Sequence, residues 1–293
     1  MKRMAWASLF LLSACAAAAG QVKLVVKTGM SPKPDALVSA PVRLKGTLEV
    51  RDADGRSVPC AVRTDPSGNR FVAFRIRNAG MLELLDYTVI ETKGLQGDLP
   101  DVPKTLPGMN LFTNADFSAR DANGDIDGWA PSPKGYGIKS KWTDEDLRNI
   151  RTKDGMLGLR GEMTCLVTYV YGLEAGHVYR IAFDGKCEKG VLAATMWFQG
   201  DNGRLPNDFI KGVGNYKNSN GVSASGEWEH VENSSFIYFD EAAKHTNMNC
   251  RELLPGTGSA YFYFYVKNGR GAVRNLRLED ITSDSGVRAE IVE

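Results

Sequence analysis

From Gln21 onward the chain alternates short apolar runs, rich in Val, Tyr, Phe and Thr, with clusters of Gly, Asn, Asp and Pro. Runs of this length and punctuation are strands rather than helices. Val22 to Val26, Val42 to Val50, Phe71 to Ile76 and Leu84 to Thr92 are predicted strands, with Asp52-Ala53-Asp54-Gly55 and Asp65-Pro66-Ser67-Gly68 as turns between them. Such strands in residues 21–92 predict a small immunoglobulin-like β-sandwich. Residues 93–109 carry Gly94, Gly97, Pro100, Pro103, Pro107 and Gly108 without helical or strand period, and are predicted to be a linker.

Beyond the linker the same grammar continues. Tyr179, Ile181 and Phe183 alternate with Arg180 and Ala182, which gives one apolar face. Tyr261-Phe262-Tyr263-Phe264-Tyr265 alternates strictly, so the three Tyr share one face and the two Phe the other. A short helix is predicted over Thr143 to Ile150, with Thr143 as cap and Glu145 and Asp146 in the first turn, and a second near Asp240 to His245. The fold class is all-β.

The first twenty residues follow a different pattern. Lys2 and Arg3 precede a mostly apolar run from Ala5 to Leu12, too short to span a bilayer, which predicts an export signal. Leu12-Ser13-Ala14-Cys15 resembles the lipobox of bacterial lipoproteins, which implies lipidation of Cys15 and an outer-membrane or cell-surface location. Cleavage within Ala16 to Gly20 is the alternative, giving a periplasmic or secreted protein. Removal of residues 1–20 deletes Lys2 and Arg3 and moves the formal charge from +1 to −1. Cys60, Cys165, Cys187 and Cys250 would then lie in an oxidising compartment, where at most one disulfide fits among the last three; buried thiols are the other reading.

Charge and composition narrow the function. Lys and Arg number 36 against 35 Asp and Glu, which leaves no basic field for nucleic acid. Only three His are present among 293 residues, so little material exists for a His-based metal site or general base. No Gly-x-Ser-x-Gly, P-loop or His-Glu-x-x-His motif occurs. Carboxylate pairs such as Asp144 with Asp146 and Glu227 with Glu229 sit in polar stretches where solvation explains them.

The C-terminal half carries a recognisable order of segments. Asn110-Leu111-Phe112-Thr113-Asn114-Ala115-Asp116-Phe117 precedes Asp127-Gly128-Trp129. Leu173 to Phe183 then reads "L-x-x-G-x-x-Y-x-I-x-F", Gly226-Glu227-Trp228 opens a strand, and Gly271 to Leu278 closes the series. Together these resemble the family 4/9 (CenC-like) and family 22 carbohydrate-binding modules over about 175 residues. The resemblance implies a galactose-binding-domain-like jelly roll over 110–283, a tail over 284–293, core roles for Trp129 and Trp228, and a polysaccharide or oligosaccharide as partner. Non-catalytic glycan binding is the expected function. A glycoside hydrolase or polysaccharide lyase with an unrecognised site, and a surface structural or adhesion protein, are the alternatives.

Sugars present apolar C–H faces and hydroxyl rims, so a binding surface needs exposed rings together with amides or charged groups. If Phe262 and Phe264 fill the core, Tyr261, Tyr263 and Tyr265 face outward as such a surface; the alternative covers them. Trp197 and Gln199 share one strand face, and Arg204 follows a turn that brings it back over the edge. Trp142, Tyr136 and Tyr216 lie in polar, Gly-rich stretches. Asp121, Asn123, Asp125 and Asp127 place oxygen side chains at alternate positions, a pattern that suits structural Ca2+, though Ile126 and Ser132 break the EF-hand consensus. A simple acidic turn is the other reading.

Overall fold

A computed structural model describes residues 20–93, 99, 101–132, 142–174, 177–200, 203–204, 220–222, 224–236, 258–282 and 287–292. Cys15, Tyr136, Tyr216, Cys250 and the second predicted helix lie outside the described residues. Among the described residues no helix is long and apolar enough to cross a membrane.

The N-terminal strands are β1 (Gln21–Lys27), β2 (Lys33–Val42), β3 (Thr47–Asp52), β4 (Ser57–Val58), β5 (Cys60–Thr64), β6 (Arg70–Ala79) and β7 (Leu84–Thr92). The predicted strand Val42 to Val50 is in fact the end of β2 and the start of β3, separated at Arg43 to Gly46, where Gly46 takes a positive φ. A three-stranded sheet, β2-β6-β5, packs on a five-stranded one that ends in β7-β3-β4. Val38, Val50, Val72, Phe74, Ile76 and Val89 fill the space between them.

Two segments expected to be loose are built into this sandwich. The predicted tail contains β16 (Arg288–Val292), which pairs antiparallel with β1 and puts Val287 into the core. Without β16 the outer edge of β1 would be an open row of amides and carbonyls, a template for unwanted pairing. The predicted linker is a strap across the outer face of β2-β6-β5. Leu99, Leu106 and Met109 pack there on Leu37, Phe71 and Ala73, and Ser39 donates its hydroxyl to the carbonyl of Pro107. Phe71-Val72-Ala73-Phe74 is apolar at every position because both faces of β6 are covered.

The jelly roll comprises β8 (Ala130–Ser132), α1 (Asp144–Asn149), β9 (Ile150–Lys153), β10 (Met156–Leu173), β11 (Val178–Gly200), β12 (Gly203–Arg204), β13 (Asn220–Val222), β14 (Trp228–Phe236) and β15 (Gly258–Asp280). Thr143 caps α1, as the sequence predicts, and Asp146 returns the bond to the Thr143 amide. Three strands are unusually long, with 18, 23 and 23 residues in β10, β11 and β15. They bend together at a glycine corner, where Gly161 pairs with Gly269 and the β11 register shifts around Lys189 and Gly190.

Beyond that corner each long strand lies over its own first half. Phe183, before the β11 bend, meets Phe264 on the opposite layer with ring centroids 5.2 Å apart. One layer holds β14, the first half of β11 and the second half of β15. The other holds the second half of β11, the first half of β15, the second half of β10, and β8. Phe112, Phe117, Leu157, Leu166, Phe262 and Trp129 fill the interior, with Trp129 stacked on Phe264 at 6.4 Å. Trp228, also expected in the core, is only half-buried, and the Arg274 guanidinium lies 4.1 Å from its ring centre.

Cys60, Cys165 and Cys187 are buried and no disulfide joins Cys165 to Cys187; Cys250, the third cysteine considered for pairing, lies outside the described residues.

Candidate functional site

All of the predicted binding residues except Trp142 occupy positions on one face of the second layer through strand register. Phe262 and Phe264 point into the main core, as alternation requires, which places Tyr263 and Tyr265 on the outer face and gives position 261 the same parity. In β11, Leu192 and Ala194 are inward, so positions 193, 195, 197 and 199 share that outer face. In β10, Leu166 and Val170 are inward, and positions 165, 167 and 169 are outward.

Register then lines up aromatic positions across three strands. Tyr261 stands opposite Trp197 on one side and opposite Tyr169 on the other. Neighbouring strands are about 4.8 Å apart, so the row Tyr169, Tyr261, Trp197 spans about 10 Å. In the next outward row, Ser259 lies between Gln199 and Tyr171, and Gln199 pairs with Arg204 of β12. Trp197, Gln199, Arg204 and Tyr261 are thereby gathered at one end of the sheet, with ring positions beside amide and guanidinium positions.

The other end of the stripe has a different role. Tyr263 and Tyr265 are 7 % and 9 % exposed, so they do not form the open surface that alternation allowed. Their rings lie 6.0 Å apart and pack with Cys165, Val167 and Ala193 into a small second core, flanked by Ala130 and the half-buried Tyr169. Tyr169 is the residue that the sequence reading passed over. Its signal is present in the outward alternation of Cys165, Val167 and Tyr169, but only register reveals that it continues the aromatic row.

Trp142 stands apart from this face. It is half-buried against the main core and borders a hollow of about 290 Å3 with Leu147, Ile150 and Arg151.

The Asp121 loop is a hairpin turn whose design occurs three times among the described residues. Asp52, Asp65 and Asp121 each accept, at the main-chain oxygen, the amide of the glycine three residues on, at 2.9, 2.9 and 3.0 Å. Each also uses Oδ1 to accept the amides two and four residues on, at 2.8 to 3.0 Å. Gly55, Gly68 and Gly124 take φ of 79, 85 and 84°, which a side chain would resist. Asp121 Oδ1 is therefore committed to its own turn. Asp127 lies past the turn and gives its amide to Ala119, while among the described residues no three His, Cys, Asp or Glu side chains converge as cation ligands. Asp121, Asn123 and Asp125 thus build the acidic turn that was the other reading of this stretch, with Asp121 Oδ1 as its acceptor.

The remaining titratable clusters hold the scaffold. Asp184 receives His230 Nδ1 at 2.9 Å and Asn275 Nδ2 at 2.7 Å; the His230 bond is the main reason its carboxyl lies below the ordinary value, against a smaller upward push from burial. Tyr179 gains a bond from the Glu174 amide at 2.8 Å, yet burial raises its hydroxyl well above the ordinary value. Of the carboxylate pairs, Asp146 closes the α1 cap, and Glu229 accepts the Ser225 hydroxyl.

No protein-family model and no curated protein matches the sequence. Among solved structures, the chain is similar to the enzymatically active domain of tailspike protein 4 from bacteriophage CBA120. Identity is 15 % and the TM-score 0.35, over 59 % of this chain and 21 % of that one; the chain thus spans about a fifth of the tailspike domain. It is also similar to TmCBM61, solved with β-1,4-galactotriose, at 17 % identity and TM-score 0.29 over 59 % of this chain and 99 % of that one. A CBM4 structure matches at 13 % identity and TM-score 0.36 over 57 % and 98 %. All three likenesses are distant.

Proposed function

We propose that the protein binds polysaccharide or oligosaccharide without transforming it, through the outer face of the jelly roll's second layer, in the manner of the family 4/9 and family 22 modules. The observation that supports this is the register that aligns Tyr169, Tyr261 and Trp197 across three adjacent strands beside Gln199 and Arg204. Ring positions suit the apolar faces of successive sugars, and the amide and guanidinium suit their hydroxyls. A sheet face fits an extended chain better than a closed pocket does. Export through residues 1–20 and lipidation at Cys15 belong to the same proposal, since a glycan binder acts where glycans are. Cys15→Ser should move the protein from the membrane to the soluble fraction.

A glycan array that includes neutral plant and algal polysaccharides tests the binding. Tyr169→Ala and Trp197→Ala should each weaken binding by about tenfold or more, as loss of a ring anchor does, and because Tyr169 also packs against the second core, Tyr169→Phe should keep both the affinity and the melting temperature. Absence of binding to every glycan, or wild-type affinity in both alanine variants, overturns the proposal. Release of new reducing ends from a bound glycan would replace it with the enzymatic alternative.

A further inference from the structure

A second concavity lies between the two domains. It encloses about 910 Å3 and is walled by the end of β2 and start of β6 on one side and by the outer parts of β11 and β15 on the other. Pro41 and the β16 residues Ala289 and Ile291 give it an aliphatic lining. Five cationic side chains also line it, Arg43, Lys45, Arg70, Arg180 and Arg277, against two carboxylates, Asp65 and Glu279, a net of +3. The whole chain carries a formal +1, so positive charge is concentrated here.

Both carboxylates are already occupied. Asp65 accepts the amides of Ser67 and Asn69 at 3.0 and 2.8 Å within its turn. Glu279 is 3 % exposed and held between two guanidinium groups, Arg180, whose Nε is 3.2 Å away, and Arg277. That arrangement fixes two Arg side chains with one compensating charge between them. Arg70 donates to the carbonyls of Leu44, Lys45 and Gly46, which are neutral acceptors. The side chains of Arg43 and Lys45 are exposed and form no ion pair among the described residues, while the Glu91 carboxylate accepts the main-chain amide of Lys45.

A cleft with low-dielectric walls and one sign of charge focuses its field on an incoming counter-ion. Guanidinium groups held in place recognise carboxylate and sulfate alike through paired N–H donors. We propose that this crevice is a second binding site, for an acidic oligosaccharide whose carboxylate or sulfate groups meet Arg43, Lys45 and Arg277 while its ring faces lie on the aliphatic lining. Its saccharide nature rests on the proposed glycan function; its anion selectivity rests on the crevice alone. The crevice is formed by Arg180, Arg277 and Glu279, on the strand halves opposite to those that carry Tyr169, Tyr261 and Trp197. The two sites therefore have separable residues.

Isothermal titration of the full chain with oligogalacturonate, a sulfated galactan oligosaccharide and a neutral oligosaccharide of equal length tests this, with the double variant R43A/K45A as control. Both substituted side chains are exposed, so the melting temperature should not change. At least one acidic oligosaccharide should bind, about tenfold or more weakly in the double variant and in about 0.5 M salt, where exposed charges are screened. The stronger of the two acidic ligands identifies the anion. Neutral-glycan binding at the aromatic row should be the same in both proteins, so failure of one site is visible apart from failure of the other. No acidic binding at low salt, equal affinity in the double variant, or displacement of the acidic ligand by the neutral one overturns the proposal.

Discussion

The hydroxyl of Thr105 donates a 2.9 Å hydrogen bond to Oδ2 of Asp280, a residue 175 positions further along the chain. His177 Nδ1 lies 2.7 Å from the same oxygen, and the Thr282 amide donates to Oδ1 at 3.0 Å. One buried carboxylate thus ties the strap to the jelly roll.

Burial pushes the Asp280 carboxyl upward, but the bonds from His177, Thr282 and Thr105 outweigh it and hold the group below its ordinary 3.8. A carboxyl depressed by folding contributes stability that is complete above its unfolded value and is lost as pH falls through the folded one. The melting temperature should therefore fall steeply below about pH 4. In Asp280→Asn it should already be lower at pH 7, by the equivalent of about 2 kcal/mol, and its decline in acid should be shallower. Thermal denaturation of both proteins across this pH range checks the slope.

Strand β16 closes the N-terminal sandwich with residues from the far end of the chain. Truncation after Thr282 removes five paired positions and the buried Val287. It should destabilise the sandwich by about 3 kcal/mol or more, from lost burial and an exposed β1 edge. Limited proteolysis should show new cleavage within residues 20–92, whereas a true tail would be removed without effect.

The glycine corner should tolerate no side chain. Gly190 has φ +77°, and a Cβ there would meet the carbonyl oxygen of Lys267 at 2.3 Å. Gly190→Ala should cost about 4 kcal/mol or prevent folding, because strain and overlap with rigid backbone combine. Gly55→Ala, at φ +79° but with open space around it, should cost only about 1 kcal/mol. Denaturant unfolding of the two variants separates overlap from strain.

Metal removal should leave the protein unchanged. Asp121 already serves the amides of Asn123 and Asp125 at 2.8 and 3.0 Å, as Asp52 and Asp65 serve theirs. Chelation by EDTA and addition of about 5 mM Ca2+ should both leave the melting temperature within about 1 °C, since a cation bound only by the folded state would raise it. A rise of several degrees with Ca2+ would show that the loop gathers ligands beyond its turn.

Much of the architecture is legible locally. The inward Phe262 and Phe264, the inward Tyr179, Ile181 and Phe183, the Thr143 cap and the three Asp-x-x-Gly turns are set by alternation and by bonds spanning no more than four residues. The expectation of a solvent-facing Tyr stripe went astray at Tyr263 and Tyr265, because alternation states which face a side chain takes and not whether that face is covered. The strap was misread because Leu99, Leu106 and Met109 are too widely spaced to show a period, although they are apolar.

By itself the sequence determined the strand character, the turns, the side-chain parity and the residue types available to a binding surface. Only the tertiary structure decided which strands are neighbours and in what register. That choice aligned Tyr169 with Tyr261 and Trp197, returned β16 to β1 across more than 260 residues, and enclosed five cationic side chains between the domains. Parity is fixed within each strand by backbone geometry over two residues. Register and docking are fixed by which edges and apolar faces remain open when the whole chain is packed, so no local stretch contains them.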